Sequence, residues 1–176
     1  MKIVPLLRNE YDGKPLEFRY TTSHYYDIES AEDALFDMRI VRKPFEVSQA
    51  KSFNAELFPD YIENPQVFVI RDKDLIVAYL EIGSESWHNR LRISALLVDE
   101  KYRGRGYAGA LLEYAKQHAL QEGYREVVLE TQSCNDPAIK AYLKHGFKIK
   151  GLDLTHYSNE DIAAKEVRIE MMAAIQ

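Results

Sequence analysis

The chain has 176 residues, close to the size of one average domain and enough to bury a substantial core. Hydrophobic residues make up 46% and charged residues 29%, which excludes a disordered or fibrous protein. The formal net charge of -5 disfavours partners such as nucleic acid or an anionic membrane. Three features together predict a cytoplasmic protein. The chain has a single cysteine, Cys134, its start shows no signal-peptide pattern, and it has no long apolar run.

The N-terminal third, residues 1–66, mixes aromatic and acidic residues and carries no specific motif. Alternation predicts strands over Leu16–Tyr20, Tyr25–Glu29 and Phe36–Ile40. A short helix is expected over Ala50–Phe58, ended by Pro59. Four side chains could line a pocket for a cationic amine, although such a run is more often an ordinary strand pair with one solvated face: Tyr25, Tyr26, Asp27 and Glu29.

From residue 67 the pattern is regular and predicts a β-loop-α-β unit preceded by a hairpin. In chain order we expect three strands, Val67–Ile70, Leu75–Ile82 and Leu91–Val98, then a helix over Gly106–Glu122 closed by Gly123 and a strand over Val127–Thr131. A second helix is expected over Ala138–His145, with Asp136 as N-cap, Pro137 in the first turn and Gly146 as its stop. The last two strands are expected near Phe147–Leu152 and Glu166–Ala173.

The most informative segment joins the third of these strands to the long helix. It contains Gly104, Gly106 and Gly109, and glycines there leave backbone N–H groups uncovered at a helix start. Such groups, with the helix dipole behind them, bind an anion such as a pyrophosphate, and Arg103 and Arg105 add positive charge. The spacing alone is also met by a glycine-rich turn with two solvated arginines. No Gly-Lys-Ser/Thr of a P-loop follows the glycines. Gly104, Gly106 and Gly109 form G-x-G-x-x-G, but without the initial strand of a repeated βαβ pair that a dinucleotide site needs.

Arg103-x-x-Gly106-x-Ala108 after a strand ending in Val98 resembles the acyl-CoA pyrophosphate loop of the GNAT superfamily of N-acyltransferases. A second motif is similar to that family's later segment: Leu129-Glu130-Thr131, Asn135, Ala138, Tyr142 and Gly146-Phe147. The length predicts a single domain over residues 1–176, and the resemblance, which covers about residues 67–173, implies an α/β (α+β) fold. It implies a mixed, twisted sheet of six or seven strands with flanking helices and splayed central strands. Residues 67–173 would be the acyl-CoA-binding core and residues 1–66 a variable part.

Acetyl-CoA is the implied acyl donor, and the resemblance carries roles onto individual residues. Leu96 and Val98 would offer backbone groups to the pantetheine arm, and Asn135 would contact that arm. Tyr142 would protonate the leaving thiolate as a general acid, although a tyrosine packed under the sheet is the alternative. The pyrophosphate would be held by Arg103, Gly104, Arg105, Gly106, Tyr107 and Ala108.

The proton acceptor for the amine is less clear, because the sequence departs from the family at this position. Many members carry a glutamate in the strand before the loop, where this chain has Ser94 and Ala95. Glu130 lies twelve residues before Tyr142, a spacing similar to that of ribosomal-protein N-terminal acetyltransferases. Glu81 is the reserve candidate, and a water chain or Glu85 stays open.

Other reactive residue types point to no further chemistry. The histidines lack partners at metal-ligand spacing, which predicts that no metal is bound: His24, His88, His118, His145 and His156. Cys134 has no histidine near it in sequence, which disfavours a covalent acyl-enzyme.

Three functions remain open on sequence alone. The first is acetyl transfer to a primary amine of a small molecule, and the segments around Glu130 and His145-Gly146-Phe147 resemble streptothricin acetyltransferases, which modify a cationic antibiotic. The second is a protein or peptide acetyltransferase, favoured by the spacing of Glu130 and Tyr142. The third is a non-catalytic acyl-CoA sensor, favoured by the missing carboxylate at Ser94. A homodimer is one assembly that the sequence leaves open.

Overall fold

The computed structural model describes residues 1–30 and 38–175, which form a mixed α/β fold. The strands are β1 (Ile3–Leu6), β2 (Pro15–Ser30), β3 (Met38–Glu56), β4 (Glu63–Asp72), β5 (Leu75–Glu85), β6 (Arg90–Val98), β7 (Glu126–Gln132), β8 (Lys148–Asp153) and β9 (Arg168–Ala174). The helices are α1 (Arg8–Tyr11), α2 (Tyr107–Gln121), α3 (Asp136–Lys144) and α4 (Asp161–Ala164). Phe36 and the residue after it, from the predicted strand Phe36–Ile40, lie outside the described residues, and Met38–Ile40 begin β3.

Seven strands form the main sheet in the order β1-β4-β5-β6-β7-β9-β8, while β2 and β3 form a separate ribbon. Strands β6 and β7 run parallel and the other neighbours antiparallel. A parallel pair needs a long crossover, and α2 supplies it. The expected mixed sheet of six or seven strands is confirmed.

The two central strands β6 and β7 separate partway along their length. They pair only between Arg90–Ile93 and Glu126–Leu129. Beyond these positions β6 stays paired with β5 up to Val98, and β7 stays paired with β9 up to Gln132. A register shift at Ser94, where Glu81 pairs with Ala95 but Ile82 pairs with Ile93, bends β6 at the start of the gap. The splayed central strands implied by the resemblance are therefore present.

The predicted helix over Ala50–Phe58 is wrong, because most of this segment belongs to β3. The cross-strand partners explain the difference: Ala50 pairs with Thr21, Phe53 with Phe18 and Ala55 with Leu16. The Phe18 and Phe53 rings stack with centroids 4.6 Å apart. Long-range pairing with β2 overrides the helical tendency of the segment. Leu16–Tyr20 and Tyr25–Glu29, expected as separate strands, are parts of the single strand β2, which is interrupted only by a bulge near Thr22.

The ribbon is fastened to the segment between β7 and α3. The Tyr26 amide donates to the Ser133 carbonyl at 2.9 Å. The Arg42 guanidinium donates to both carboxylate oxygens of Asp136, at 2.7 and 3.1 Å. Asp27 of the ribbon also pairs with Lys165, which lies between α4 and β9, at 2.9 Å. These contacts place the N-terminal strands beside the gap between β6 and β7.

Side chains on the two faces of the main sheet form separate cores. On one face α2 buries Leu111, Leu112, Ala115 and Ala119 against the sheet, as their helical spacing predicts. The other face packs against the start of the ribbon and the segment around Leu57. Helix α2 is followed by Gly123 at φ +77°, and Gly146 follows α3 at φ +85°, so both predicted stops are confirmed. The N-cap of α3 is Asn135 rather than Asp136, because the Asn135 side chain accepts from the Ala138 amide.

The two edges of the main sheet are short or irregular. Strand β1 has four residues and includes Pro5. Strand β8 exposes Lys148 and Lys150, and its register shifts between Ile149 and Gly151. Within residues 1–30 and 38–175, the structure contains no helix long and apolar enough to cross a membrane.

Candidate active site

The glycine-rich loop leads from the end of β6 into α2 and has a conformation that few residue types adopt. Gly104 and Gly106 have φ values of +76° and +86°. A Cβ at either position would meet nothing within 4 Å, so the space beside the loop is open. The glycines are therefore required by the backbone conformation, and they leave the loop surface accessible to a ligand.

The first turn of α2 carries amides that no side chain caps. Gly106 is the N-cap residue and has no side chain to accept a hydrogen bond. The first bond to its carbonyl comes from the Ala110 amide, so the amides of Tyr107, Ala108 and Gly109 precede the helical ladder. Unpartnered amides at the positive end of a helix favour an anion, and the predicted pyrophosphate residues 103–108 fit that group.

The two arginines of the loop differ in their contacts. Arg103 donates to the Val98 carbonyl at 3.2 Å and to the Arg19 carbonyl of the ribbon at 2.6 Å. The Arg105 guanidinium is exposed and lies over the Tyr102 ring, 4.9 Å from its centroid. Arg105 is thus the more accessible charge, while Arg103 also ties the loop to β2.

The gap between β6 and β7 begins after Ile93 and extends to the end of β6, where the loop starts. Leu96 and Val98 pair with Leu80 and Ala78 of β5 on one side, and their other side faces the gap. Both side chains are partly buried against the core that contains α2. The backbone edge that the sequence assigns to the pantetheine arm is therefore available next to the loop, although the Val98 carbonyl accepts from Arg103.

Tyr142 lies on α3 and packs against the same core, with its ring centroid 6.1 Å from that of Phe147. Its hydroxyl forms no hydrogen bond with any residue in the described ranges 1–30 and 38–175. Burial raises the pKa of Tyr142 to about 12. The hydroxyl is therefore protonated at neutral pH and free to donate.

Asn135 and Cys134 lie in the turn before α3. The Asn135 side-chain oxygen accepts from the Ala138 amide at 3.3 Å, so it stabilises the start of the helix that carries Tyr142. Cys134 is buried, and its Sγ lies 3.3 Å from the Tyr20 hydroxyl. Burial raises the pKa of the Cys134 thiol, which disfavours the thiolate that a nucleophile needs.

Glu130 lies on the face of the sheet opposite Tyr142, because its neighbour Leu129 points into the α2 core. Its carboxylate contacts Arg92 at 3.4 Å and pairs closely with Arg168. Glu130 is exposed at the point where β7 leaves β6. The two predicted catalytic residues thus lie on opposite faces of the sheet.

Glu81 lies on the same face as Glu130, but it is buried, with 2% of its surface exposed. One carboxylate oxygen accepts from the Phe58 amide at 2.6 Å and the other from the Ser94 hydroxyl at 2.8 Å. Burial raises the pKa of Glu81, although both hydrogen bonds oppose that shift. Glu85, the other open candidate, pairs with Arg92.

Arginines on this face were missed by the sequence reasoning. Arg92 and Arg168 come from strands far apart in sequence and meet at Glu130 and Glu170. Alternation along β6 predicts that Arg92 and Ser94 share one face. It cannot predict that residues of β9 lie near Arg92, because that depends on the order of the strands in the sheet. In the described part of the chain, no group of three His, Cys, Asp or Glu side chains could hold a metal ion.

Comparisons with known proteins agree with this geometry. A streptothricin acetyltransferase from Escherichia coli is 35% identical over 91 residues, 52% of this chain and 52% of that protein. One from Streptomyces lavendulae is 34% identical over 91 residues, 52% of this chain and 48% of that protein. The aligned part thus spans about half the length of these relatives.

Solved structures match over the whole fold. A nourseothricin acetyltransferase superposes with a TM-score of 0.78 at 22% identity, covering 99% of this chain and 98% of that chain. A candidate streptothricin acetyltransferase from Bacillus anthracis str. Ames, in complex with acetyl coenzyme A, gives 0.78 at 24% identity over the full length of both chains. At this identity the likeness establishes the shared fold, ribbon included. The sequence profile of the acetyltransferase (GNAT) family matches residues 28–147, more than half of the chain, and the chain belongs to this family.

Proposed function

We propose that the protein is an N-acetyltransferase that moves an acetyl group from acetyl-CoA directly to a primary amine of a small molecule. The observation that carries this proposal is the gap between β6 and β7, which opens beside the uncapped N-terminus of α2. A pyrophosphate at the helix start and an extended arm in the gap would bring a thioester to the place where the strands separate. Streptothricin acetyltransferases among the relatives support a small-molecule acceptor.

In this proposal the loop and the gap bind the donor. The amides and arginines of residues 103–108 hold the pyrophosphate, and the free edge at Leu96 and Val98 holds the pantetheine arm. Asn135 contacts that arm or orients α3 through its cap. Residues 67–173 form the acyl-CoA-binding core, and residues 1–66 form the variable part that borders the acceptor side.

The chemistry divides between the two faces of the sheet. The amine nitrogen attacks the thioester carbonyl, the C–S bond breaks, and the amine loses a proton. Tyr142, protonated and without a hydrogen-bond partner among residues 1–30 and 38–175, gives a proton to the leaving thiolate on the α3 side. Glu130, exposed on the opposite face, takes the amine proton and passes it to solvent. Glu81 is the second candidate for this role, since burial favours a proton on its carboxylate.

We further infer that the enzyme works in the cytoplasm, without nucleic acid or membrane as partner. The net charge of -5 supports this, because such a charge repels anionic polymers and surfaces. The single cysteine is buried and forms no disulfide, which suits a reducing compartment.

The test combines binding and turnover on the purified protein. Calorimetry with acetyl-CoA measures donor binding, and thiol release measures transfer to a panel of primary amines and peptides. We expect donor binding together with thiol release that requires a small amine. Donor binding without release to any acceptor would instead favour a sensor, and release to peptides alone would favour a protein acetyltransferase.

A further inference from the structure

A cleft of about 360 Å³ lies on the sheet face that carries Glu130, and the proposed donor site does not use it. Its walls come from the start of β4, the end of β5 with the turn that follows, and β6 and β9. The residues that matter here are Tyr61, Glu63, Glu85, Trp87, Arg92 and Glu170. Arg92 joins the cleft to the proposed reaction centre, because its guanidinium also contacts Glu130 at 3.4 Å.

Two aromatic side chains of this cleft are almost fully exposed. Trp87 is 86% exposed and Tyr61 is 83% exposed, more than any other large hydrophobic residue in the described part of the chain. Large apolar rings that flank a cleft are typical of ligand-binding surfaces, and their faces attract cations.

The turn that carries Trp87 is held in place before any ligand binds. The Ser86 amide and hydroxyl both donate to the Glu63 carboxylate. On the other side of the turn, Arg125 donates to the His88 carbonyl at 2.7 Å, and Asn89 has φ +52°. A surface fixed at both ends loses little conformational entropy when it binds a ligand.

The carboxylates of the cleft differ in their partners. Glu85 and Glu170 both pair with Arg92, so their charges are already compensated. Glu63 pairs with no cationic side chain within residues 1–30 and 38–175. The hydrogen bonds from Ser86 lower the pKa of Glu63, which keeps it ionised at neutral pH. Glu63 is thus an uncompensated anion beside two exposed aromatic rings.

We propose that this cleft selects acceptors that carry a second amino group, held as an ammonium between the Glu63 carboxylate and the rings of Trp87 and Tyr61. The inference rests on the proposed function: one amino group would react at the gap near Glu130 while the other stays charged in the cleft. A diamine would then be a better acceptor than a monoamine of the same length. Because the interaction is with the part that does not react, it would act on acceptor binding rather than on the chemical step.

The test compares an aliphatic diamine with the alkyl monoamine of the same carbon number. We expect a lower KM for the diamine, by about 10- to 100-fold, from a charge-assisted hydrogen bond together with a cation–π contact. Glu63→Gln and Trp87→Leu should each raise the KM of the diamine. Neither variant should change kcat or the KM of the monoamine. Trp87→Phe keeps a ring face and should restore most of the wild-type KM.

Two controls separate charge and fold from the cleft itself. Glu10→Gln removes another exposed glutamate, one that lies on α1 outside the cleft, and should leave both amines unaffected. Ser86→Ala removes a hydrogen bond to Glu63 but keeps its charge, so it should have a smaller effect than Glu63→Gln.

Direct calorimetry of the diamine, without acetyl-CoA, keeps the proposal testable if no turnover occurs. Loss of diamine binding in Glu63→Gln and Trp87→Leu would support the cleft even when the protein releases no thiol, and only the proposed function would then fail. Equal kinetics for the two amines, or equal diamine affinity in wild type and both variants, would overturn the cleft proposal and leave the proposed function intact.

Discussion

The Ser94 hydroxyl donates a 2.8 Å hydrogen bond to the buried carboxylate of Glu81, across the bulge where β6 begins to leave β7. The other carboxylate oxygen accepts from the Phe58 amide, and Phe58 has a left-handed backbone at φ +59°. One acidic side chain therefore fixes both the bulge and the segment that follows the ribbon. Ser94, which replaces the carboxylate expected in that strand, supports a carboxylate on the neighbouring strand.

This carboxylate should make the stability of the fold depend on pH. Burial raises the pKa of Glu81 above its unfolded value of about 4.3. Between these two pKa values the folded state binds more protons than the unfolded state, so stability falls as pH rises through that interval. Glu81→Gln removes this titration. As pH rises from about 4 to the raised pKa, the Tm of the variant should therefore increase relative to the Tm of the wild type. Parallel Tm profiles of the two proteins would contradict the raised pKa.

Donor binding should depend on the open space beside Gly106. Gly106→Ala is expected to weaken acetyl-CoA binding by about tenfold or more, because a Cβ would cover amides at the start of α2. Gly123→Ala is a matched control: Gly123 also has a positive φ and open space, but follows the other end of the same helix. Both variants should lose similar stability in thermal melts, and only Gly106→Ala should lose affinity in calorimetry. Equal affinities would remove the loop from the donor site.

The role of Tyr142 can be separated from its packing. Tyr142→Phe should lower kcat by about 10² to 10⁴ and leave the KM for acetyl-CoA within a few-fold. Since the pKa of Tyr142 is about 12, its ionisation should not appear in the pH profile of kcat below about pH 10. Tyr114→Phe, at a partly buried ring on α2, is the control for loss of a hydroxyl. An unchanged kcat, with chemistry shown to limit the rate, would leave Tyr142 a packing residue.

Replacing the proton acceptor should change how kcat/KM depends on pH. Glu130→Gln is expected to reduce kcat/KM most near neutral pH, with partial recovery as rising pH supplies neutral amine from solution. Glu126→Gln removes another arginine-paired glutamate from β7, at the end where β6 and β7 are still paired, and should have little effect. If Glu130→Gln kept wild-type kcat/KM from pH 6 to 9, Glu81 would become the first candidate.

Gly109 in the first turn of α2 should be intolerant of a side chain because of one neighbour. A Cβ there would lie 2.6 Å from Cε1 of His145, whose ring contacts Glu113. Gly109→Ala should destabilise the protein, since overpacking costs about 1–3 kcal/mol and exceeds the helix-propensity gain of up to about 1 kcal/mol. In a His145→Ala background the same change should become neutral or stabilising. Denaturant unfolding of the four proteins measures this, and additive effects would exclude the contact.

Much of the second half of the fold could be predicted from the sequence, because its signals are local. The spacing of Leu111, Leu112, Ala115 and Ala119 predicts α2 and its buried face, and the positive φ of Gly123 bears out the predicted stop. The glycine loop was predicted for the same reason. Each of these features depends on residues that are near one another in the chain.

The predictions that were wrong, and the site residues that were missed, depend on contacts between residues far apart in the sequence. The segment Ala50–Phe58 has a helical composition, but its residues up to Glu56 pair with Pro15–Thr21 of β2, about 30 to 40 residues earlier. Arg168 and Glu130 meet because β9 is inserted between β7 and β8, an order that alternation cannot reveal. The cleft combines Tyr61 with Glu170, so its aromatic and charged residues could not be grouped before the strand order was known.

The two edges of the main sheet limit how this protein can associate. An added strand needs a straight edge with a regular row of free amides and carbonyls. Pro5 removes one amide from the four-residue strand β1, while the register shift and the exposed Lys148 and Lys150 interrupt β8. Neither edge is suited to extend the sheet into a second copy. The irregular edges of the main sheet therefore disfavour its association with a second copy by strand addition.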